Sequence, residues 1–258
     1  MSKGVVLALV FLGCWDTPAV SQVKASDDLK RYFTAAGVEG TILLYNLQTG
    51  ESSGYHTDRW DSAYVPASTF KIFNALVSLE TGAIKDERTI IPWDHVERPV
   101  SEWNRDQTLA SAFRVSAVWL YQELARRIGA ERMQAFLDSV GYGNRVMGGP
   151  IDRFWLDGGL RITPRQQVEF LVRLHRNDLP FSMRTMSLVR EIMIQEKTGT
   201  STLRAKTGWS DEVGWYVGYL ERADGVFFFA TEIDIRRDED VRARAEVTKA
   251  ILRHLGLL

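Results

Sequence analysis

Thr41 to Asn46 is a run rich in apolar and β-branched residues. Gln48-Thr49-Gly50 then supplies turn chemistry before Ser52 to His56, a pattern that predicts two short strands joined by a tight connection. The rhythm changes after Pro66-Ala67. Phe70, Phe73, Ala75, Leu76 and Leu79 recur three and four apart until Gly82, predicting a helix with one apolar face. Helical spacing dominates to about residue 180, over Ser116 to Ile128, Arg132 to Val140 and Thr163 to His175. The last begins with Thr163-Pro164-Arg165-Gln166, the form of a capping box with proline at the first helical position. Strand character returns over Leu203 to Thr207, Gly214 to Leu220 and Val226 to Glu232. The latter two flank Asp224-Gly225, a hairpin signal. A terminal helix from about Val241 to Leu255 closes the chain.

Strands at both ends with helices between them predict an α+β fold: an antiparallel sheet flanked by N- and C-terminal helices, with an inserted, mostly helical lobe. The sheet lobe takes about 22–62 and 184–258, and the helical lobe about 63–183. No repeat, low-complexity tract or linker separates them, so residues 22–258 read as one domain whose cleft between lobes is a natural ligand site.

Charge narrows the partners. Lys and Arg total 32 against 33 Asp and Glu, so there is no electrostatic case for nucleic acid or an anionic membrane, and a small-molecule substrate is expected. Lys3, the apolar run Gly4 to Trp15 and the small residues Ala19-Val20-Ser21 have the layout of a signal peptide over residues 1–21. The apolar run is short for a membrane span, so secretion without stable membrane insertion is expected. Cys14 is the single cysteine, which excludes an intrachain disulfide. It is either discarded with the leader or, through the imperfect Phe11-Leu12-Gly13-Cys14 match, a lipidation site.

Ser68-Thr69-Phe70-Lys71 is the most informative stretch. At a helix start, a spacing of three puts the lysine amine on the face of the serine hydroxyl, and the positive end of the helix favours an alkoxide. Alone, Ser68 is equally an ordinary N-cap and Lys71 an exposed helical residue. Ser116-Ala117-Val118 opens another predicted helix and could aim a second hydroxyl at the cleft, with the same ordinary alternative. Lys206-Thr207-Gly208 precedes the hairpin, where Lys206 and Thr207 could bind an anion and Gly208 could let a ligand approach the backbone. Lys197-Thr198-Gly199 repeats the three letters. Thr200-Ser201-Thr202 follows it, however, and marks it as a turn.

Taken in order, Ser68-Thr69-Phe70-Lys71, Ser116-Ala117-Val118, Tyr142-Gly143-Asn144, Phe154-Trp155-Leu156-Asp157-Gly158 and Lys206-Thr207-Gly208-Trp209 resemble the class D serine β-lactamases, the oxacillin-hydrolysing family of the penicillin-recognising enzymes. The resemblance implies hydrolysis of the β-lactam ring through an acyl-enzyme on Ser68, conferring antibiotic resistance from the bacterial periplasm. It also implies that Lys71 is carboxylated by carbon dioxide or bicarbonate to N6-carboxylysine, the general base for acylation and deacylation. Burial among Phe70, Val118, Trp155 and Leu156 would favour the neutral amine this requires, and the Trp155 N–H is the expected donor to the carbamate. The resemblance further assigns Ser116 to protonating the lactam nitrogen with Lys206 beside it, and Ser68 and Trp209 N–H groups to the oxyanion hole. It also implies that Val118, Thr207, Gly208 and Trp209 line the substrate site. Arg244, by count from Ile233-Asp234-Ile235, or Arg242 two residues earlier, holds the substrate carboxylate. Tyr142-Gly143-Asn144 reads as a turn supporting the cleft, with Gly143 in an unusual backbone state.

The chain departs from the family pattern in a short segment between Gly208 and Gly214, and in Trp119 where proline is common, a change expected to affect packing only. A D-alanyl-D-alanine peptidase, a β-lactam-sensing domain that stays acylated and an inert domain of the same fold are the competing readings. His56, His95, His175 and His254 are scattered, and neither a metal nor any cofactor beyond carbon dioxide is expected. A monomer or homodimer fits.

Overall fold

The computed structural model of the protein describes residues 23–258. The leader-like residues 1–21 and Cys14 lie outside the described residues. Seven strands form one sheet in the spatial order β1-β3-β2-β7-β6-β5-β4. They are β1 (Val23–Ala25), β2 (Gly40–Asn46), β3 (Ser52–Tyr55), β4 (Ile194–Lys197), β5 (Ser201–Trp209), β6 (Val213–Arg222) and β7 (Gly225–Asp234). The fold is α+β as expected, with one amendment to the sheet: β1 pairs with β3 in parallel, and the other pairings are antiparallel.

Alternation along the strands builds two cores. In β2, Ile42 and Leu44 face one side and Leu43 the other, because successive strand side chains point to opposite faces. Ile42, Leu44, Leu203, Ala205, Tyr216 and Phe229 bury against the helices α1 (Lys30–Ala36) and α8 (Asp240–His254), whose Phe33, Val247 and Ile251 complete that layer. Leu43, Val217, Tyr219, Phe228 and Ala230 face the helical lobe. That lobe holds α2 (Lys71–Glu80), α3 (Leu109–Val115), α4 (Val118–Ile128), α5 (Ala130–Val140) and α6 (Pro164–Arg176), and α7 (Met183–Ile192) leads back to the sheet. A fully buried Phe or Leu in either layer contributes roughly 1.5–3 kcal/mol.

The local signals hold in detail. Thr163 caps α6, its side chain accepting from the Gln166 N–H while Gln166 Oε1 accepts from the Thr163 N–H. Lys197-Thr198-Gly199 is the end of β4 and its turn, with Thr198 Oγ1 accepting from the N–H groups of Thr200 and Ser201. One helix differs from expectation. The predicted Ser116–Ile128 segment starts at Val118, and Ser116 instead caps the preceding helix in a left-handed conformation, φ 58°. Its N–H donates to the Phe113 carbonyl and that of Ala117 to the Ala112 carbonyl, which closes α3. The start of α3 was encoded in a capping box from Thr108 to Ser111.

Candidate active site

Pro66-Ala67 enters a short 3-10 turn, Ala67–Phe70, that runs directly into α2 and so presents Ser68 at a helix start. Ala67 sits at φ 48°, a conformation costing a non-glycine residue about 1–2 kcal/mol. The turn is held from several sides. The Ala67 N–H donates to the Trp155 carbonyl at 3.0 Å, Trp215 Nε1 donates to the Val65 carbonyl at 2.9 Å, and Gln167 Nε2 donates to Thr69 Oγ1 at 2.8 Å.

Lys71 Nζ donates to Ser68 Oγ at 2.6 Å, one helical turn away. Lys71 is fully buried whereas Ser68 remains partly accessible. Burial, and secondarily the charge of Lys206, push the Lys71 amine well below its ordinary value of 10.5, so the neutral form is favoured. The pocket wall is aromatic. Phe70 stacks on Trp155 with ring centroids 5.1 Å apart, Phe154 meets both edge-on, and the Tyr121 ring lies 5.4 Å from Lys71 Nζ. Within it, the Trp155 Nε1–H and the Tyr121 hydroxyl are both buried without a hydrogen-bond partner.

A second hydroxyl–amine pair faces the first. Leu203 and Ala205 of β5 point to the α1/α8 layer, so Lys206 points to the helical lobe. There its Nζ donates to Ser116 Oγ at 3.0 Å and to the Thr207 carbonyl at 3.0 Å. Burial and then the charge of Arg244 lower the Lys206 amine to about 7. The left-handed turn at Ser116, rather than a helix start, aims that hydroxyl. Val118 is half-buried in the first turn of α4.

Gly208 also has a packing role within the fold. The position of a Cβ there is 3.0 Å from the Pro66 carbonyl oxygen and 3.0 Å from Thr69 Cγ2, so its missing side chain lets β5 press against the Ser68 turn. Trp209 follows it, exposed at the rim and paired across to Gly214.

Thr207, Arg242 and Arg244 line one open pocket of about 650 Å³, together with Asp238, Glu239 and Glu246. Arg244 is half-buried, its Nε has no partner, and burial lowers its guanidinium to about 10. Arg242 is exposed. Gly143 takes φ 56°, where a Cβ would lie 2.1 Å from the Arg161 carbonyl oxygen, and Asn144 Oδ1 accepts from the Arg161 N–H at 3.0 Å. The turn braces the wall, with the Tyr142 ring edge-on to Phe70 at 5.7 Å.

Two contributions were not read from the sequence. Tyr121 carries no motif signal beyond its place in an amphipathic helix. Trp119 does more than pack, since its Nε1 donates to the Trp103 carbonyl at 2.9 Å. His56, His95 and His254 are exposed, and no group of three His, Cys, Asp or Glu residues suited to a metal occurs among the described residues.

The sheet, the inserted helical lobe and the facing Ser–Lys pairs define a penicillin-binding serine-enzyme domain. Consistent with this, residues 40–253 match the family described as penicillin binding protein transpeptidase domain. The chain is 39% identical over 226 residues to β-lactamase OXA-48 of Klebsiella pneumoniae, covering 86% of this chain and 85% of that one. It is 35% identical over 259 residues to β-lactamase OXA-10 of Pseudomonas aeruginosa, covering 97% of each. The crystal structure of the class D β-lactamase YbXI from Nostoc superposes with a TM-score of 0.87 at 52% identity, over 89% of this chain and 99% of that one. The chain belongs to the class D serine β-lactamases.

Proposed function

We propose that this protein hydrolyses penicillin-type β-lactams through an acyl-enzyme on Ser68, with Lys71 carboxylated on Nζ, and so confers β-lactam resistance. One observation carries the reading: a buried lysine amine, whose charged form its surroundings disfavour, sits 2.6 Å from a partly accessible serine hydroxyl, and the Trp155 ring that stacks on the intervening Phe70 carries a buried N–H with no partner. An amine must be neutral to react with carbon dioxide, and the anion formed needs a buried donor; Trp155 Nε1 supplies one. Carboxylated, Lys71 supplies the general base for both halves of the reaction.

Ser68 Oγ gives up its proton and bonds to the lactam carbonyl carbon, while the Ser68 and Trp209 N–H groups take the charge on the carbonyl oxygen. The carbon–nitrogen bond of the ring then breaks. Ser116 passes its proton to the departing nitrogen and is resupplied through Lys206, whose amine near 7 exchanges protons readily at neutral pH. Water attacks the acyl carbonyl, and Ser68 recovers its proton as the penicilloate leaves. Arg244, which shares a pocket with Thr207, pairs with the substrate carboxylate, and Val118, Gly208 and Trp209 complete the substrate site. The apolar leader-like start of the chain supports export to the periplasm as the place of action.

The test is steady-state turnover of benzylpenicillin after acidic, carbon-dioxide-free preparation, with and without added bicarbonate. Turnover that rises on adding bicarbonate is expected, because the carbamate is reversible. Stoichiometric acylation with no release would overturn hydrolysis in favour of a sensor or peptidase, and bicarbonate-independent turnover would overturn the modified base.

A further inference from the structure

Trp119 and Trp103 form a reciprocal clasp around the turn that presents Ser116. Trp103 lies in the short 3-10 turn Ser101–Trp103, and its Nε1 donates to the carbonyl of Val115 at 2.9 Å, the residue directly before Ser116. Trp119, three residues after Ser116, donates from its own Nε1 to the Trp103 carbonyl at 2.9 Å. Each indole N–H thus ends on backbone belonging to the other's segment. Trp119 is 4% exposed, so its N–H has no water to fall back on, and the carbonyl it takes is set by the fold.

The clasp is braced from outside. The Arg98 guanidinium lies over the Trp119 ring at 5.5 Å and is held by Asp94 through two bonds, at 2.8 and 2.6 Å. Asn104, next to Trp103, accepts from the Arg98 N–H at 2.9 Å and donates to the Arg98 carbonyl at 2.9 Å. The rim segment 94–104 is therefore one hydrogen-bonded unit with two indole anchors. Ser116 needs such an anchor. Its left-handed backbone at φ 58° is an uncommon state for serine, and from that state Ser116 Oγ meets Lys206 Nζ at 3.0 Å.

We infer that Trp119 is a positioning residue for the proton delivery of acylation: by pinning Trp103 onto the Val115 carbonyl, it holds the Ser116 hydroxyl against Lys206. The inference rests on the reading of Ser116 proposed above. It gives this chain's tryptophan at a position where proline is common a role in rate, not merely in packing.

Trp119→Phe keeps a ring beneath Arg98 and deletes the N–H. Acylation by benzylpenicillin, measured by stopped flow with bicarbonate present, should slow about tenfold, the effect of losing one such bond, while release from the preformed acyl-enzyme stays within about twofold. A residue that acted only on stability would move both steps or neither. In a double-mutant cycle with Ser116→Ala, the second substitution should add little, because Trp119 acts through that hydroxyl. Losses that multiply in the cycle, or equal slowing of acylation and release, would overturn the inference. Should Trp119→Phe not fold, Trp103→Phe removes the other half of the clasp and carries the same expectations. Failure of the underlying reading looks different: the unmodified protein would then not release product, or Ser116→Ala alone would leave acylation unchanged.

Discussion

Replacing Trp155 by phenylalanine removes one N–H and leaves much of the aromatic wall in place. In the structure that N–H is buried without a partner, with the ring stacked on Phe70 and edge-on to Phe154, both centroids at 5.1 Å. An unpaired buried donor costs about 1–3 kcal/mol, and the same donor given to an anion gains roughly 1.5–3 kcal/mol. The substitution thus spares the bare-amine protein a penalty and takes a bond from the carboxylated one. Counting only the lost bond, at about 1.4 kcal/mol per factor of ten, the bicarbonate concentration giving half-maximal activity should rise between about tenfold and a hundredfold. The assay is benzylpenicillin turnover against bicarbonate for both proteins, with the carbamate signal from 13C-labelled bicarbonate read by NMR. Saturating bicarbonate should restore part of the variant's activity. Equal half-saturation in the two proteins, with the variant folded by circular dichroism, would refute the view that Trp155 holds the modified lysine.

Arg244→Ala should raise KM for penicillins about tenfold or more, the loss of one charge-assisted contact, while Arg242→Ala, removing an exposed side chain, should change it less than about twofold; the reverse ranking in steady-state kinetics would move the carboxylate site. Gly143→Ala should lower stability by at least about 1–2 kcal/mol from its left-handed backbone alone, with the clash against the Arg161 carbonyl added, and an unchanged thermal midpoint would contradict the turn as described. In carbon-dioxide-free buffer, stability should rise with pH above about 7. Lys206 titrates near 7 in the folded protein against 10.5 ordinarily, so between those values the unfolded chain holds a proton the native state lacks, and stability grows by about 1.4 kcal/mol per pH unit. Lys71 acts in the same direction. Thermal melts from pH 7.5 to 9.5 check this, and a slope that does not flatten in Lys206→Met would contradict a neutral buried amine.

How much of this could be read before the structure depended on whether the signal was local. Most helix and strand periods and the Thr163 cap depend on residues within a few positions of one another and stand where expected; the hairpin joins the expected strands, with its two-residue turn at Ala223-Asp224 and Gly225 opening β7. The Ser68–Lys71 contact is equally local, since a spacing of three on one helical turn brings the two side chains together. The likeness of five ordered motifs to one family then carried the activity class. What had to wait for the folded chain was everything fixed by distant neighbours. Whether Ser116 opens a helix or caps one depends on how α3 closes. The close approach of the Pro66 carbonyl to Gly208 comes from over a hundred positions away. Arg244 differs from Arg242 because α8 packs on the sheet and turns one guanidinium toward Lys206 and the other to water. The Trp155 N–H became informative only once burial showed that no protein group satisfies it. Burial, partner and field are sums over the whole fold, and no window of neighbouring residues contains them.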